Sequence, residues 1–167
     1  MINITFPDGN VRQYDAGTSA LDIAKSISHG LAKKVLSAKV NDEVWDATRP
    51  IDSDCNLQLL TWDDKDGQAT FWHSSAHLMA EAIEALYPGT KFGIGPAVDG
   101  GFYYDIDLGD RALSPDELEK IEKKMTELAR QKNDYERKEI SKADAIAYLK
   151  EIGDEYKLEL LQDLEDG

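Results

Sequence analysis

Cysteine is nearly missing from this sequence. Cys55 is its only one, so no internal disulfide can form, and the usage fits a reducing compartment. Long apolar runs are missing too. No stretch approaches the roughly 20 residues that a membrane span takes, which predicts no membrane partner. The opening MINITFPDGN has neither a basic region nor an apolar one, so it does not read as a secretory signal. Glycine and proline, at 12 and 5, are too few for a low-complexity chain. Basic residues are outnumbered: 19 Lys+Arg face 33 Asp+Glu across 167 residues, a net charge of −14. That balance argues against avid, non-specific binding to nucleic acid, which needs Lys and Arg to neutralise phosphates. Hydrophobic residues make up 41%, which suits a soluble globular protein of one or two domains. A cytoplasmic location is expected.

What is present is unevenly spread. Residues 1–62 carry a net charge of −2 and residues 63–167 a net charge of −12. The change falls at Asp63-Asp64-Lys65-Asp66-Gly67, which reads as a linker. Ahead of it, Ile2, Ile4 and Phe6 alternate with polar residues, the period of a half-buried strand. Pro7-Asp8-Gly9-Asn10 is a turn, and Val11 to Tyr14 returns as a second strand. Thr18 or Ser19 caps a helix bearing Leu21, Ala24 and Ile27 on one face, with Gly30 placed to end it. Asn41-Asp42 is a turn between Val35–Val40 and Glu43–Asp46. Cys55 to Trp62 is a last apolar strand, with Cys55 as a small core residue. The pattern predicts a four-stranded sheet with one helix packed on it, an α+β unit.

Behind the acidic run, a helix is predicted from Thr70 to Tyr87, stopped by Pro88-Gly89. Lys91 to Asp105 is glycine-rich and reads as a hairpin turning at Asp99-Gly100-Gly101. Ser114-Pro115-Asp116-Glu117 is a capping box with proline at the first helical position. Leu118, Ile121, Met125 and Leu128 then mark a buried stripe in a helix reaching about Asn133. A strand is expected over Tyr135–Ile140. A helix is expected from Ser141 to near Gly153, and helical spacing continues from Tyr156 to Leu164. No internal repeat is visible.

Candidate chemistry is sparse. His73 and His77 are two of only three histidines. Four residues is just over one helical turn, so both imidazoles leave the same face. Two such histidines can be a polar helix surface, half of a metal site, or a general-base pair. A zinc site needs at least a third ligand. The remaining His and Cys, His29 and Cys55, lie ahead of the acidic run, so no metal site is evident. A lone GxG at Gly93 and Gly95 is weak evidence for phosphate binding, and no GxxxxGK[ST] motif occurs.

The context of the pair is more specific. Phe71-Trp72-His73-Ser74-Ser75-Ala76-His77-Leu78-Met79-Ala80-Glu81-Ala82 is followed by Lys91-Phe92-Gly93-Ile94-Gly95-Pro96 and then by Gly100-Gly101-Phe102-Tyr103-Tyr104-Asp105. This series resembles the editing domain of threonyl-tRNA synthetases. Residues 1–62, with Pro7-Asp8-Gly9, Tyr14, Gly17 and Val40-Asn41-Asp42-Glu43, resemble the ubiquitin-like β-grasp (TGS) module that precedes it in that family. The resemblance covers the whole chain and implies an α+β fold with domains at 1–62 and 63–167. The same HxxxH occurs in alanyl-tRNA synthetase editing domains, but without this β-grasp unit or this continuation. The family goes on to a Cys-Arg-Gly-Pro-His-like motif, whereas this sequence stops at Asp166-Gly167. It therefore reads as an amino-terminal piece of a synthetase.

The resemblance implies a parent enzyme that joins threonine to its tRNA. ATP, magnesium and zinc belong to a catalytic core outside this sequence, and no cofactor is implied within it. The partners implied are the acceptor end of tRNA and, for the parent, a second copy. The fragment is expected to be monomeric and inactive alone. His73, His77 and Lys157 fall on catalytic positions of the editing pocket; Gly95, which with Gly93 and Pro96 looks like a tight backbone approach, and Tyr104 are further candidates for substrate contact. Without the resemblance, Lys157 reads as a solvated lysine and Tyr104 as packing. The rival classes are a metal-dependent hydrolase of the alanyl type and a non-catalytic RNA-contacting or regulatory TGS module.

Overall fold

The computed structural model describes residues 1–133, 135–162 and 164. The end at Asp166-Gly167 lies outside the described residues. The chain divides into two compact units, Met1–Trp72 and His73–Gly167. No described helix is long and apolar enough to cross a membrane.

In the first unit, β1 (Ile2–Thr5) and β2 (Val11–Tyr14) pair antiparallel, Ile2 opposite Tyr14. Their turn follows the sequence: Gly9 takes a φ of 81°, and the Asp8 carboxylate accepts from the Asn10 N–H at 3.0 Å. β3 (Thr18–Ser19) leads into α1 (Ala20–Ile27), where the Ser19 hydroxyl accepts from the Asp22 N–H at 3.2 Å as the cap. Ala20, Ile23 and Ala24 are its buried face. Gly30, expected to end α1, instead lies inside the short α2 (His29–Ala32). Ser28 ends α1 and caps α2. β4 (Ser37–Val40) and β5 (Glu43–Asp46) are joined by Asn41 and Asp42, at φ 47° and 72°. Positive φ at both positions is the pattern of a type I′ hairpin turn. β6 (Pro50–Ile51) pairs with β3, and β7 (Cys55–Leu60) completes the unit.

The sheet order is β2-β1-β7-β4-β5, with β7 parallel to β1 and antiparallel to β4. It has five strands rather than the expected four, because β7 enters between the two hairpins and draws both into one sheet. A ubiquitin-like β-grasp results. Its core comprises Ile2, Ile4, Ala20, Ile23, Ala38, Val40, Ile51, Cys55 and Leu57. Burial pushes the Cys55 thiol above its ordinary pKa, with Asp54 adding to the effect.

The acidic run is not a free linker. Asp64 accepts from the Thr61 N–H at 2.8 Å, and Lys65, Asp66 and Gly67 are already the first turn of α3 (Lys65–Leu86). Asp66 pairs with Lys39 at 2.6 Å, and Thr70 donates to the buried Ser37 hydroxyl at 3.0 Å. Acidic residues suit a helix amino terminus electrostatically, which the linker reading overlooked. Trp62, Phe71 and Trp72 meet edge to face, with ring centroids 5.2–5.6 Å apart.

In the second unit, Gly89 turns the chain at φ 88° after α3. Two nested ribbons follow. β8 (Lys91–Phe92) pairs with β11 (Ile106–Asp107), and β9 (Ala97–Val98) pairs with β10 (Gly101–Phe102) inside it. α4 (Pro115–Gln131) starts at the predicted box, where Glu117 accepts from the Ser114 N–H at 2.9 Å. Ile121 and Leu128 are buried against Ala82 and Ile83 of α3, and Met125 is half-buried. Leu118, expected in that stripe, is exposed, and Leu113 just ahead of α4 packs against the apolar cluster instead. Tyr135–Ile140 is not a strand. Its charged residues fall on both alternating faces, so it has no apolar side to bury. α5 (Lys142–Ile152) is capped by Ser141 and ended by Gly153 at φ 73°. α6 (Glu155–Gln162) is the last described helix, and Asp163, within the expected Tyr156–Leu164 segment, lies outside the described residues.

Gly67 has no room for a side chain. A Cβ built there would stand 2.1 Å from the Thr61 carbonyl oxygen, and backbone cannot move aside cheaply. In an ordinary helix Gly→Ala stabilises by up to about 1 kcal/mol. Here Gly67→Ala is expected to destabilise by about 1–3 kcal/mol. Urea unfolding checks this, and a stabilised variant would contradict the close approach.

Candidate active site

The geometry begins with α3. Helical periodicity sets His73 and His77 on successive turns, and their Nε2 atoms approach to 3.0 Å. The ring centroids are 4.7 Å apart at an interplanar angle of 73°. At this distance one nitrogen donates its N–H and the other accepts. The pair therefore holds one proton between the facing atoms, and protonating both would set two donors against each other. Both side chains are exposed, whereas Ala76 between them is buried.

Burial around its ring lowers the His77 pKa, and the nearby charges of His73 and Lys157 lower it further. Lys157 comes from α6 and is drawn to the same region of the second unit. Burial opposes its charge, but the bond to Asp154 at 2.9 Å, with the charges of Asp154, Tyr104 and Glu84, holds its pKa above the ordinary lysine value. The ribbon and α6 are tied by Lys91 to Glu155 at 2.6 Å and by the Tyr156 hydroxyl to Asp107 at 3.4 Å.

Tyr104 is half-buried, edge-to-face with Phe92 at 5.6 Å. Gly95 is its seat. A Cβ on Gly95 would stand 2.4–2.8 Å from three atoms of the Tyr104 ring. Outer-ribbon bonds continue alongside, with Gly93 N–H to Asp105 O at 2.8 Å and Asp105 N–H to Ile94 O at 3.1 Å. Histidine pair, lysine and tyrosine thus all belong to the second unit, and Gly95 acts through Tyr104. Among the described residues no three His, Cys, Asp or Glu side chains gather as a metal-binding group. Asp154 was not singled out from the sequence. Its signal was legible: an acidic residue directly after the glycine that ends one helix, three residues before Lys157.

A β-grasp module followed by a helix-and-ribbon unit with an exposed histidine pair defines a TGS-bearing protein, and residues 2–61 match the TGS domain family. All 167 residues are 65% identical to a threonine–tRNA ligase of Cytophaga hutchinsonii, 54% to one of Parabacteroides distasonis and 51% to one of Bacteroides thetaiotaomicron. In each case the match covers 26% of the relative. The chain belongs to the threonyl-tRNA synthetase family and spans about a quarter of the length of these relatives.

Two tests address the geometry. The His77 imidazole is expected to titrate below 6.5, the ordinary value, and Lys157→Ala should raise its midpoint. With a depressed folded value the unfolded chain binds its proton first. His77 therefore costs stability as pH falls through the ordinary histidine range, and the cost levels off below the folded midpoint. Histidine-resolved NMR titration reads this, and a midpoint at or above 6.5 would contradict it. Separately, Gly95→Ala should destabilise by about 1–3 kcal/mol, with much of that loss absent when Tyr104 is also Ala. Additive losses in urea unfolding would show that the clash lies elsewhere.

Proposed function

We propose that residues 63–167 are the proofreading region of a threonyl-tRNA synthetase and take part in hydrolysing seryl-tRNA. Ligation of threonine to tRNA with ATP would be carried by the larger part of such a protein. The observation that carries this reading is the 3.0 Å His73–His77 contact, exposed and under the influence of the Lys157 charge. Family membership supplies the substrate. Serine is threonine without one methyl, and a missing group of that size is worth only about 1–3 kcal/mol of discrimination. Binding alone cannot reject it, so a second site must remove the mischarged product.

The chemistry is ester hydrolysis. A water oxygen bonds to the ester carbonyl carbon while the histidine pair takes its proton. The tetrahedral intermediate then collapses, the bond from carbon to ribose oxygen breaks, and the leaving oxygen receives the proton. Serine and uncharged tRNA result. Lys157, kept protonated, holds a ribose hydroxyl or the negative charge that develops in the transition state. Tyr104, seated on Gly95, walls the pocket.

The assay is deacylation of seryl-tRNA by the full-length enzyme carrying this sequence, with threonine activation as the control. His73→Ala and His77→Ala are each expected to slow deacylation by about 10²–10⁴ and to spare activation. If both remain within a few-fold of the unmodified enzyme, the pair is structural and the reading fails.

A further inference from the structure

We propose that Asp154 is the positioning residue of the site: it fixes the Lys157 ammonium by joining the cap of α6 to the lysine side chain. This rests on the hydrolytic reading above.

All of the polar groups of Asp154 are engaged. Gly153, at φ 73°, ends α5 and reverses the chain. The Asp154 N–H then donates to the Leu149 carbonyl at 2.9 Å, and the Asp154 carbonyl accepts from the Leu158 N–H at 3.2 Å. Of its carboxylate oxygens, Oδ1 accepts from the Lys157 backbone N–H at 3.1 Å and Oδ2 from Lys157 Nζ at 2.9 Å. Both ends of Lys157 are therefore held by one side chain. That carboxylate is only 17% exposed, against 56% for Asp22 in the comparably spaced Lys25–Asp22 pair. A lysine has four rotatable bonds, and an exposed one samples many positions. Here the ammonium is folded back over the first turn of its own helix, and its charge is felt at His77. Removing the carboxylate charge frees the ammonium from that position while leaving the helix cap replaceable.

Capping separates the two roles, because Asn and Ser cap a helix about as well as Asp. In the full-length enzyme, Asp154→Asn and Asp154→Ser should keep the melting temperature and threonine activation. Each should slow single-turnover deacylation of bound seryl-tRNA by about 10- to 100-fold, with Lys157→Ala slowed at least as much. The double variant Asp154→Asn/Lys157→Ala should be no slower than Lys157→Ala alone. Deacylation within twofold of the unmodified enzyme for both Asp154 variants, or faster, overturns the proposal while a slow Lys157→Ala leaves the hydrolytic reading intact. So does an additive double variant, which would mean that Asp154 acts elsewhere. If Lys157→Ala itself has no effect, the role of Lys157 in the hydrolytic reading fails, and the proposal with it.

Discussion

The contact between His73 and His77 depends on one constraint, the backbone hydrogen bonding of α3. Each residue turns the helix by about 100°, so a four-residue step returns to nearly the same face about 6 Å along the axis. Side chains leaning toward the amino terminus close that gap, and the ring nitrogens come within 3.0 Å. Anything that unwound the turn between them would part the rings and break the hydrogen bond between them. The turn is held from the far side, where Ala82 and Ile83 of the same helix pack with Ile121 and Leu128 of α4. The apolar cluster and the histidine pair use opposite faces of one rigid element. That is how a half-exposed site stays in register without a core of its own.

The remaining site groups are brought in by non-local packing. Tyr104 reaches its position because Gly95 offers it a bare backbone, and Gly95 can do so because the Gly93–Asp105 bonds hold two ribbon segments together. Lys157 reaches its position because Gly153 and Asp154 set where α6 begins. In both cases a glycine acts one step away from the side chain of interest.

This distinction explains what could be read from the sequence. Signals complete within four or five residues were legible: the Asp8-Gly9 and Asn41-Asp42 turns, the Ser19 and Ser141 caps, the Ser114–Glu117 box and the spacing of the histidines. Signals that need a distant partner were not. The insertion of β7 between β1 and β4 leaves no local trace, since an apolar strand reads alike at a sheet's edge or centre. The acidic run looked like a linker because Asp64 and Asp66 find their partners at Thr61 and Lys39, outside the run itself. Tyr135–Ile140 shows the converse error: a β-prone aromatic and isoleucine frame a stretch with no face to bury. Gly95 could be suspected of a close approach, but only the fold reveals that Tyr104 is what approaches.

The electrostatics of the site follow from the same packing. His77 is pushed down by partial burial and by neighbouring positive charge, whereas Lys157 is held up by Asp154 despite its own partial burial. The two values are driven apart from opposite sides. At neutral pH this keeps the imidazole neutral, able to accept a proton, and the lysine charged, able to hold an anion. A base and a cation set close together would ordinarily compromise each other, since each cation disfavours protonation of its neighbour. In the hydrolysis proposed above the repulsion would be useful, because it keeps His77 neutral and so able to take a proton from water. The Asp154 carboxylate limits how far the same repulsion can erode the charge on Lys157. A neutral acceptor beside a permanent cation, their pKa values driven apart by environment, is the division of labour that the proposed ester hydrolysis would use at neutral pH.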